Sequence, residues 1–269
     1  MRKLNYERVH KHLVNRIKSY FKNTNITKCI VGVSGGIDSA LVAKLAVDAL
    51  GDENVVLITM PSHVTGEASL ERVELLHKFL GISILLRPIN NLYSTVRDYA
   101  HTISENIPGD STVFHNIQAR ARGVMLMTAA NILNAIVLGT GNKSENMVGY
   151  CTLYGDTVGA FEPIGDLYKT EVWELAKYLN LPAEIISAIP SAELAEGQTD
   201  EKDLLPYADL DTLLYDHFER HRSIKSVAKK LGWYIEGLER IVKMHYDTAF
   251  KRKQTAPTLK LSTSCIIKT

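Results

Sequence analysis

Four short runs rich in β-branched residues recur along this chain, each separated from the next by a segment with helical spacing. "TKCIVGVS" (27–34) is followed by apolar positions at Ile37, Leu41, Leu45 and Leu50. "NVVLITM" (54–60) precedes a helix over 66–81, which Gly81 ends because a left-handed stop favours glycine. "ISILLRPI" (82–89), closed by Pro88, leads into a helix from Asn90 to His101. "AIVLGT" (135–140) follows a long helix that Asp110 or Ser111 caps and that runs to Asn131. Strands alternating with helices require a parallel sheet covered on both faces. The expected fold is therefore α/β, a doubly wound parallel sheet with flanking helices. The first residues form an amphipathic helix with Val9, Leu13 and Ile17 on one stripe.

A chain of 269 residues is long enough to bury one sizeable core, so 1–269 is expected to be a single domain. The net charge of +1 gives no field that favours nucleic acid or a membrane surface. No apolar run reaches membrane-spanning length, and the start has no signal-peptide stretch. The three cysteines (Cys29, Cys151 and Cys265) lie far apart with no CxxC, which fits the reduced thiols of a cytoplasmic protein.

"IVGVSGGIDSALVAKLA" (30–46) is a strand, a Gly-rich turn and a helix. The backbone N–H groups of such a turn, with the helix N-terminus, make an anion site. Gly35 and Gly36 let the backbone approach a phosphate, and the Ser34 and Ser39 hydroxyls can donate to it. The Walker A pattern needs a Lys after the glycines and none is present; the GxGxxG fingerprint is absent too. Asp38 would repel a bare phosphate, so the loop implies Mg²⁺ between carboxylate and pyrophosphate. The plainer alternative is a Gly-rich βα turn with Asp38 as a first-turn helix acid.

After Gly139 the periodicity lapses in "GTGNKSENMVGYCTLYGDTVGAFEPIGDLYKT", and a polar stretch of this length inside a domain is usually functional. Helical spacing resumes at Val172, Leu175, Ala176 and Leu179. A turn-rich, acidic, solvent-facing segment (181–210) then precedes a helical tail over 210–249, with a lid expected near 200–207.

The SGGxDS string resembles the pyrophosphate loop of the N-type ATP pyrophosphatases. The later motifs are more specific: "NIQARAR" (116–122), "LGTGNKSE" (138–145), "YGD" (154–156), "PIGDLYKTEV" (163–172), "PSAEL" (190–194), "GQTDE" (197–201) and "KRKQTAP" (251–257). Their order and spacing over about residues 10–260 are similar to NAD synthetase. The resemblance implies an adenine nucleotide alpha-hydrolase-like (Rossmann-like) sheet with a helical C-terminal tail. It also implies a reaction: the nicotinate carboxylate of deamido-NAD is adenylated by ATP, and ammonia then displaces AMP to give NAD.

Carried over residue by residue, the resemblance puts ATP contacts at Gly32, Val33, Ser34, Gly35, Gly36, Ile37, Asp38 and Ser39. It adds Thr140, Lys169 and Ser191 to the ATP site, with Asp38 and Lys169 as catalytic groups and Asp38 and Glu145 as Mg²⁺ ligands. Taken alone, Glu145 is a loop or helix-cap acid, Thr140 a turn hydroxyl, Lys169 a first-turn surface lysine and Ser191 an N-cap after Pro190. Arg120 and Lys251 match contacts to deamido-NAD. Arg122, two residues from Arg120, points another way on a helix, so one of the pair faces ligand and the other solvent or a partner chain. Lys251 and Arg252 also read as a solvated charge run.

Leu153, Ala160 and Phe250 stand where one well-known form of the family has Lys, Asp and His near the dinucleotide. No room is left for the glutaminase domain of the glutamine-using relatives, which implies ammonia as nitrogen donor. Rival readings are a ligase with the same loop and another acceptor, and a non-catalytic nucleotide-binding module. The helix 111–131 is apolar on more than one face, at Val113, Ile117, Val124, Met125, Leu126 and Met127. Its second side is covered either by a homodimer partner, as the resemblance also implies, or by the N-terminal helix of the same chain.

Overall fold

The computed structural model describes residues 1–109, 111–191, 194 and 199–267. In chain order the first elements are α1 (Tyr6–Lys22), β1 (Lys28–Gly32), α2 (Ile37–Leu50), β2 (Val55–Thr59), α3 (Glu67–Leu80), β3 (Ile84–Leu86), α4 (Asn90–Ile103), α5 (Thr112–Leu133) and β4 (Ala135–Val137). They are followed by α6 (Lys143–Val148), α7 (Lys169–Tyr178), α8 (Ala183–Ile186), α9 (Asp200–Asp203), α10 (Tyr207–Leu214), α11 (Ile224–Leu231), α12 (Ile235–Asp247) and α13 (Ala249–Arg252).

The four strands form one parallel sheet in the order β3-β2-β1-β4. Period-two alternation sends neighbouring residues of a strand to opposite faces. Cys29 and Val31 of β1 and Val55 and Leu57 of β2 join the core under α1, α2 and α7. Ile30 and Ile58 join the opposite core under α5. Leu41 and Leu45 of α2 are fully buried, and each contributes roughly 2 kcal/mol by leaving water. This burial fixes the helix whose first turn carries Asp38.

The expected doubly wound sheet is present, with shorter strands at two places. β3 covers only 84–86 of the expected 82–89, and its residues are half-buried or exposed, as at a sheet edge. β4 ends at Val137, and Leu138 continues only as a bridge to Phe161. Ser111 is the cap of α5, its hydroxyl accepting from the Val113 N–H at 3.2 Å; the alternative cap, Asp110, lies outside the described residues. α1 packs on α2 and α7, while Val124, Met127 and Ile132 of α5 remain exposed. The N-terminal helix therefore does not cover that face.

Two corrections concern the second half. The polar stretch after Gly139 contains a helix, α6, because Asn142 and Glu145 form a capping box. The stretch 200–207 is only partly solvent-facing: Glu201, Lys202, Asp203 and Pro206 are exposed, whereas Leu204, Leu205 and Tyr207 are buried in a second core with Val148, Tyr168 and the helices of the tail. These leucines show no helical period because they sit in a turn between two short helices.

Candidate active site

One cavity of about 480 Å³ opens beyond the carboxyl ends of β1, β2 and β4, the edge at which open parallel sheets bind ligands. Gly32, Val33, Ser34, Gly36, Ile37, Asp38 and Ser39 line it; Gly35 is buried and does not. Gly35 has φ +86, and a Cβ there would stand 2.4 Å from the Ser69 carbonyl oxygen, so this turn admits only glycine. The Ser34 hydroxyl accepts from the Gly36 N–H at 3.2 Å, and the Ser39 hydroxyl donates to the Gly36 carbonyl at 3.0 Å. α2 begins without a side-chain cap, so its first N–H groups remain available to an anion.

Asp38, Glu145 and Lys169 come together across this loop. The Lys169 ammonium donates to Asp38 Oδ2 and lies 3.5 Å from Glu145 Oε1. Asn142 Nδ2 donates to Asp38 Oδ1 at 3.0 Å, and the Asn142 Oδ1 caps the Glu145 N–H at 3.1 Å. Burial alone would lower the Lys169 ammonium, but the Asp38 and Glu145 charges outweigh it and hold the group raised. Burial pushes the Glu145 carboxyl up to about 8 against the pull of Lys169. Glu145 still keeps 20% of its side-chain surface open, enough for a ligand to reach it.

Among the described residues no group of three or more His, Cys, Asp or Glu forms a metal site. Two carboxylates on one shared ammonium do fit a Mg²⁺ whose remaining ligands are phosphate oxygens and water.

Thr140, Ser191 and Lys251 also line the cavity. Lys251 donates to the Gly149 and Cys151 carbonyls at 2.8 and 2.6 Å, tying the tail to the loop after α6. Of the arginine pair, Arg122 lines the cavity and donates to the Met60 carbonyl at 3.1 Å. Arg120 is exposed and is not a lining residue, donating to the Leu153 carbonyl at 3.2 Å. Leu153, Ala160 and Phe250 are not among the lining residues; Ala160 packs on the main core and Phe250 is exposed. "PSAEL" and "GQTDE" fall partly outside the described residues.

The sequence reading does not single out four residues of the site: the buried Asn142, and Arg72, Asp200 and Glu162 of the cavity lining. Asn142 lay inside a quoted motif, and its S/T/D/N-x-x-E spacing to Glu145 was the available signal. Arg72 holds the Gly35 carbonyl at 2.9 Å from α3, where it reads as an ordinary surface arginine. Asp200 accepts from the Tyr207 hydroxyl at 2.9 Å. Glu162 is 1% exposed and accepts from Asn146 Nδ2 at 2.6 Å.

The NAD synthase family profile matches residues 9–255. The chain belongs to the NAD synthase family. It is 37% identical over 255 residues to the glutamine-dependent NAD(+) synthetase of Acinetobacter baylyi, a match covering 92% of this chain and 47% of that protein. It thus spans about half the length of such glutamine-dependent relatives. It is 41% identical over 240 residues to the NH(3)-dependent NAD(+) synthetase of Wolinella succinogenes, covering 89% of this chain and 90% of that protein. Among solved structures, the NMN synthetase of Francisella tularensis superposes with a TM-score of 0.79 at 29% identity, covering 97% of this chain and 99% of that one. Asp38, Glu145 and Lys169 lie at the carboxyl edge of the sheet, and Cys29, Cys151 and Cys265 are free thiols. Among the described residues no helix is long and apolar enough to cross a membrane.

Proposed function

We propose that this chain amidates the nicotinate carboxylate of deamido-NAD with ammonia, converting ATP to AMP and pyrophosphate, as the last step of NAD synthesis in the cytoplasm. The observation that supports it most is the meeting of Asp38, Glu145 and Lys169 over an SGGxDS loop in a chain of the NAD synthase family.

In the first step a nicotinate carboxylate oxygen attacks the α-phosphorus of ATP, and the bond to pyrophosphate breaks. The loop N–H groups and the Ser34 and Ser39 hydroxyls hold the leaving pyrophosphate. Lys169, kept charged by its carboxylate neighbours, stabilises the charge that develops on the phosphates. Thr140 and Ser191 contact the nucleotide. Asp38 and Glu145 hold Mg²⁺, which when bound supplies further charge neutralisation. In the second step the ammonia lone pair attacks the carbonyl carbon of the adenylate. The carbon–oxygen bond to AMP then breaks, and the nitrogen loses a proton to leave the amide. Arg120 contacts the dinucleotide directly, and Lys251 shapes its site through the Gly149–Cys151 backbone. The chain acts as one domain with ammonia as donor; the near-complete coverage of an NH(3)-dependent relative supports this. It acts as a homodimer through the exposed apolar face of α5.

The deciding assay is pyrophosphate release from Mg·ATP with deamido-NAD and ammonium, each omitted in turn. Release that needs both, with ammonium outperforming glutamine, is the expected result; release indifferent to deamido-NAD refutes it. A second reading, nicotinate mononucleotide as acceptor, is favoured by the full-length likeness to an NMN synthetase and by the apolar Leu153, Ala160 and Phe250. A higher kcat/KM for the mononucleotide in the same assay would select it.

A further inference from the structure

α7 carries Lys169 as its first residue, and its own cap residue, Tyr168, supplies no side-chain acceptor to the helix end. The first N–H groups of a helix need acceptors. Here they come from elsewhere in the chain. The Thr170 N–H donates to Asp211 Oδ2 at 2.8 Å. The Lys169 N–H donates to the Ser144 hydroxyl oxygen at 2.9 Å, and that hydroxyl donates in turn to Asp211 Oδ1 at 2.5 Å. Ser144 directly precedes Glu145 on α6. One carboxylate from the tail therefore joins the starts of α6 and α7, the two helices that bring Glu145 and Lys169 together.

Asp211 is fully buried, on α10 in the second core. The first residue of α10 reaches Lys169 directly: the ammonium stands 5.2 Å from the centre of the buried Tyr207 ring. Lys169 is thus approached by α10 directly at its charged tip and, through Ser144, at its backbone N–H. A carboxylate at a helix start is also favoured by the helix dipole.

We propose that Asp211 is a positioning residue for phosphoryl transfer, setting the Glu145–Lys169 separation through Ser144 and Thr170. The proposal rests on the ATP-dependent reading of the site. Phosphoryl transfer depends on where charge is placed, so a loosened Lys169 lowers turnover even when the ammonium is present. An Asn at 211 keeps the shape, but its NH₂ group would face either the Thr170 N–H or the Ser144 hydroxyl hydrogen.

The test compares Asp211→Asn, Ser144→Ala, Lys169→Met and the Asp211→Asn/Lys169→Met double variant. Each is checked for fold by circular dichroism, for Mg·ATP affinity by calorimetry, and for pyrophosphate release. Asp211→Asn is expected to lower kcat by roughly tenfold, with KM for the acceptor unchanged. In the Lys169→Met background it is expected to add less than about twofold, since coupled residues are not additive. Ser144→Ala, which leaves the Asp211–Thr170 bond in place, is expected to lower kcat by about threefold. A folded Asp211→Asn with wild-type kcat, or with the same fractional loss whether or not Lys169 is present, overturns the proposal. If Asp211→Asn does not fold, a folded Ser144→Ala at wild-type kcat overturns it. If the wild-type chain releases no pyrophosphate with either acceptor, the ATP-ligase reading fails instead. Mg·ATP affinity then reads the positioning: about tenfold weaker binding by Asp211→Asn supports it, and unchanged binding overturns it.

Discussion

The cavity wall that carries Asp38, Glu145 and Lys169 is closed and bonded within itself, whereas the outer wall around Arg120, Leu153 and Tyr154, which does not line the cavity, opens outward. On the first wall Lys169 and Asn142 are buried and every charged tip meets a partner. On the second, Arg120 is exposed, Tyr154 is 65% exposed with φ +62, and nearby Val124 of α5 is 54% exposed. A single chain completes the wall at which we place the phosphates. The acceptor side is left to be finished by ligand and, in our reading, by a second copy. Substitutions on the closed wall should therefore act on chemistry, and those on the open wall on acceptor binding and assembly.

The largest expected effect is on the closed wall. Asp38→Asn removes the charge that, in our reading, holds Mg²⁺, and pyrophosphate release should fall by about a hundredfold or more, on the order of the loss of one electrostatic group. The fold should survive because Lys169 keeps Glu145 as a partner, so an unchanged circular dichroism spectrum should accompany the lost rate. A near wild-type rate in limiting Mg²⁺ would sink the assignment. Lys169→Met should lower kcat by about a hundredfold. An effect confined to KM for the acceptor would move Lys169 to the other wall and break the comparison.

Val124→Glu comes next. At 54% exposure the new charge is tolerated in a folded monomer but not in an apolar interface. Sedimentation should show monomers with intact circular dichroism and little activity. A stable, active dimer would remove α5 from the interface. Arg120→Ala should raise KM for the acceptor by about tenfold and leave Mg·ATP binding unchanged, the size expected for one lost charged contact. Equal losses for both substrates would mean that the two walls are not separable.

The smallest effect concerns Glu162, buried in the cavity lining. Burial pushes its carboxyl from 4.5 to about 7, with Asn146 pulling the other way. A raised folded-state value means that stability is fully present below about pH 4.5 and is lost as pH rises through about 7. Glu162→Gln cannot ionise and still accepts from Asn146. It should be more stable than wild type at pH 8 by on the order of 1–3 kcal/mol and nearly equal at pH 4.5. Urea unfolding that shows the same difference at both pH values would argue that Glu162 titrates normally.

The strand–helix alternation, the glycine turn, Asp38 and the family motifs were all legible in the amino-acid order, because strand period, helix period and a turn needing φ +86 at Gly35 are local constraints. Lys169 and Glu145 were legible only through motif resemblance: each taken singly reads as a surface or cap residue. The ammonium of Lys169, shared by Asp38 and Glu145, belongs to a residue 131 and 24 positions from them, and only packing brings the three together. Arg122 rather than Arg120 faces the cavity because helix phase, fixed by burial of Ala121 and Leu126 against the sheet, decides which arginine turns inward. The tail illustrates the same limit. Its sequence announced helices, but not that Asp211 would cap α7 from 41 positions downstream. A buried carboxylate goes where unpaired N–H groups must be satisfied, and the three-dimensional packing determines where those groups end up.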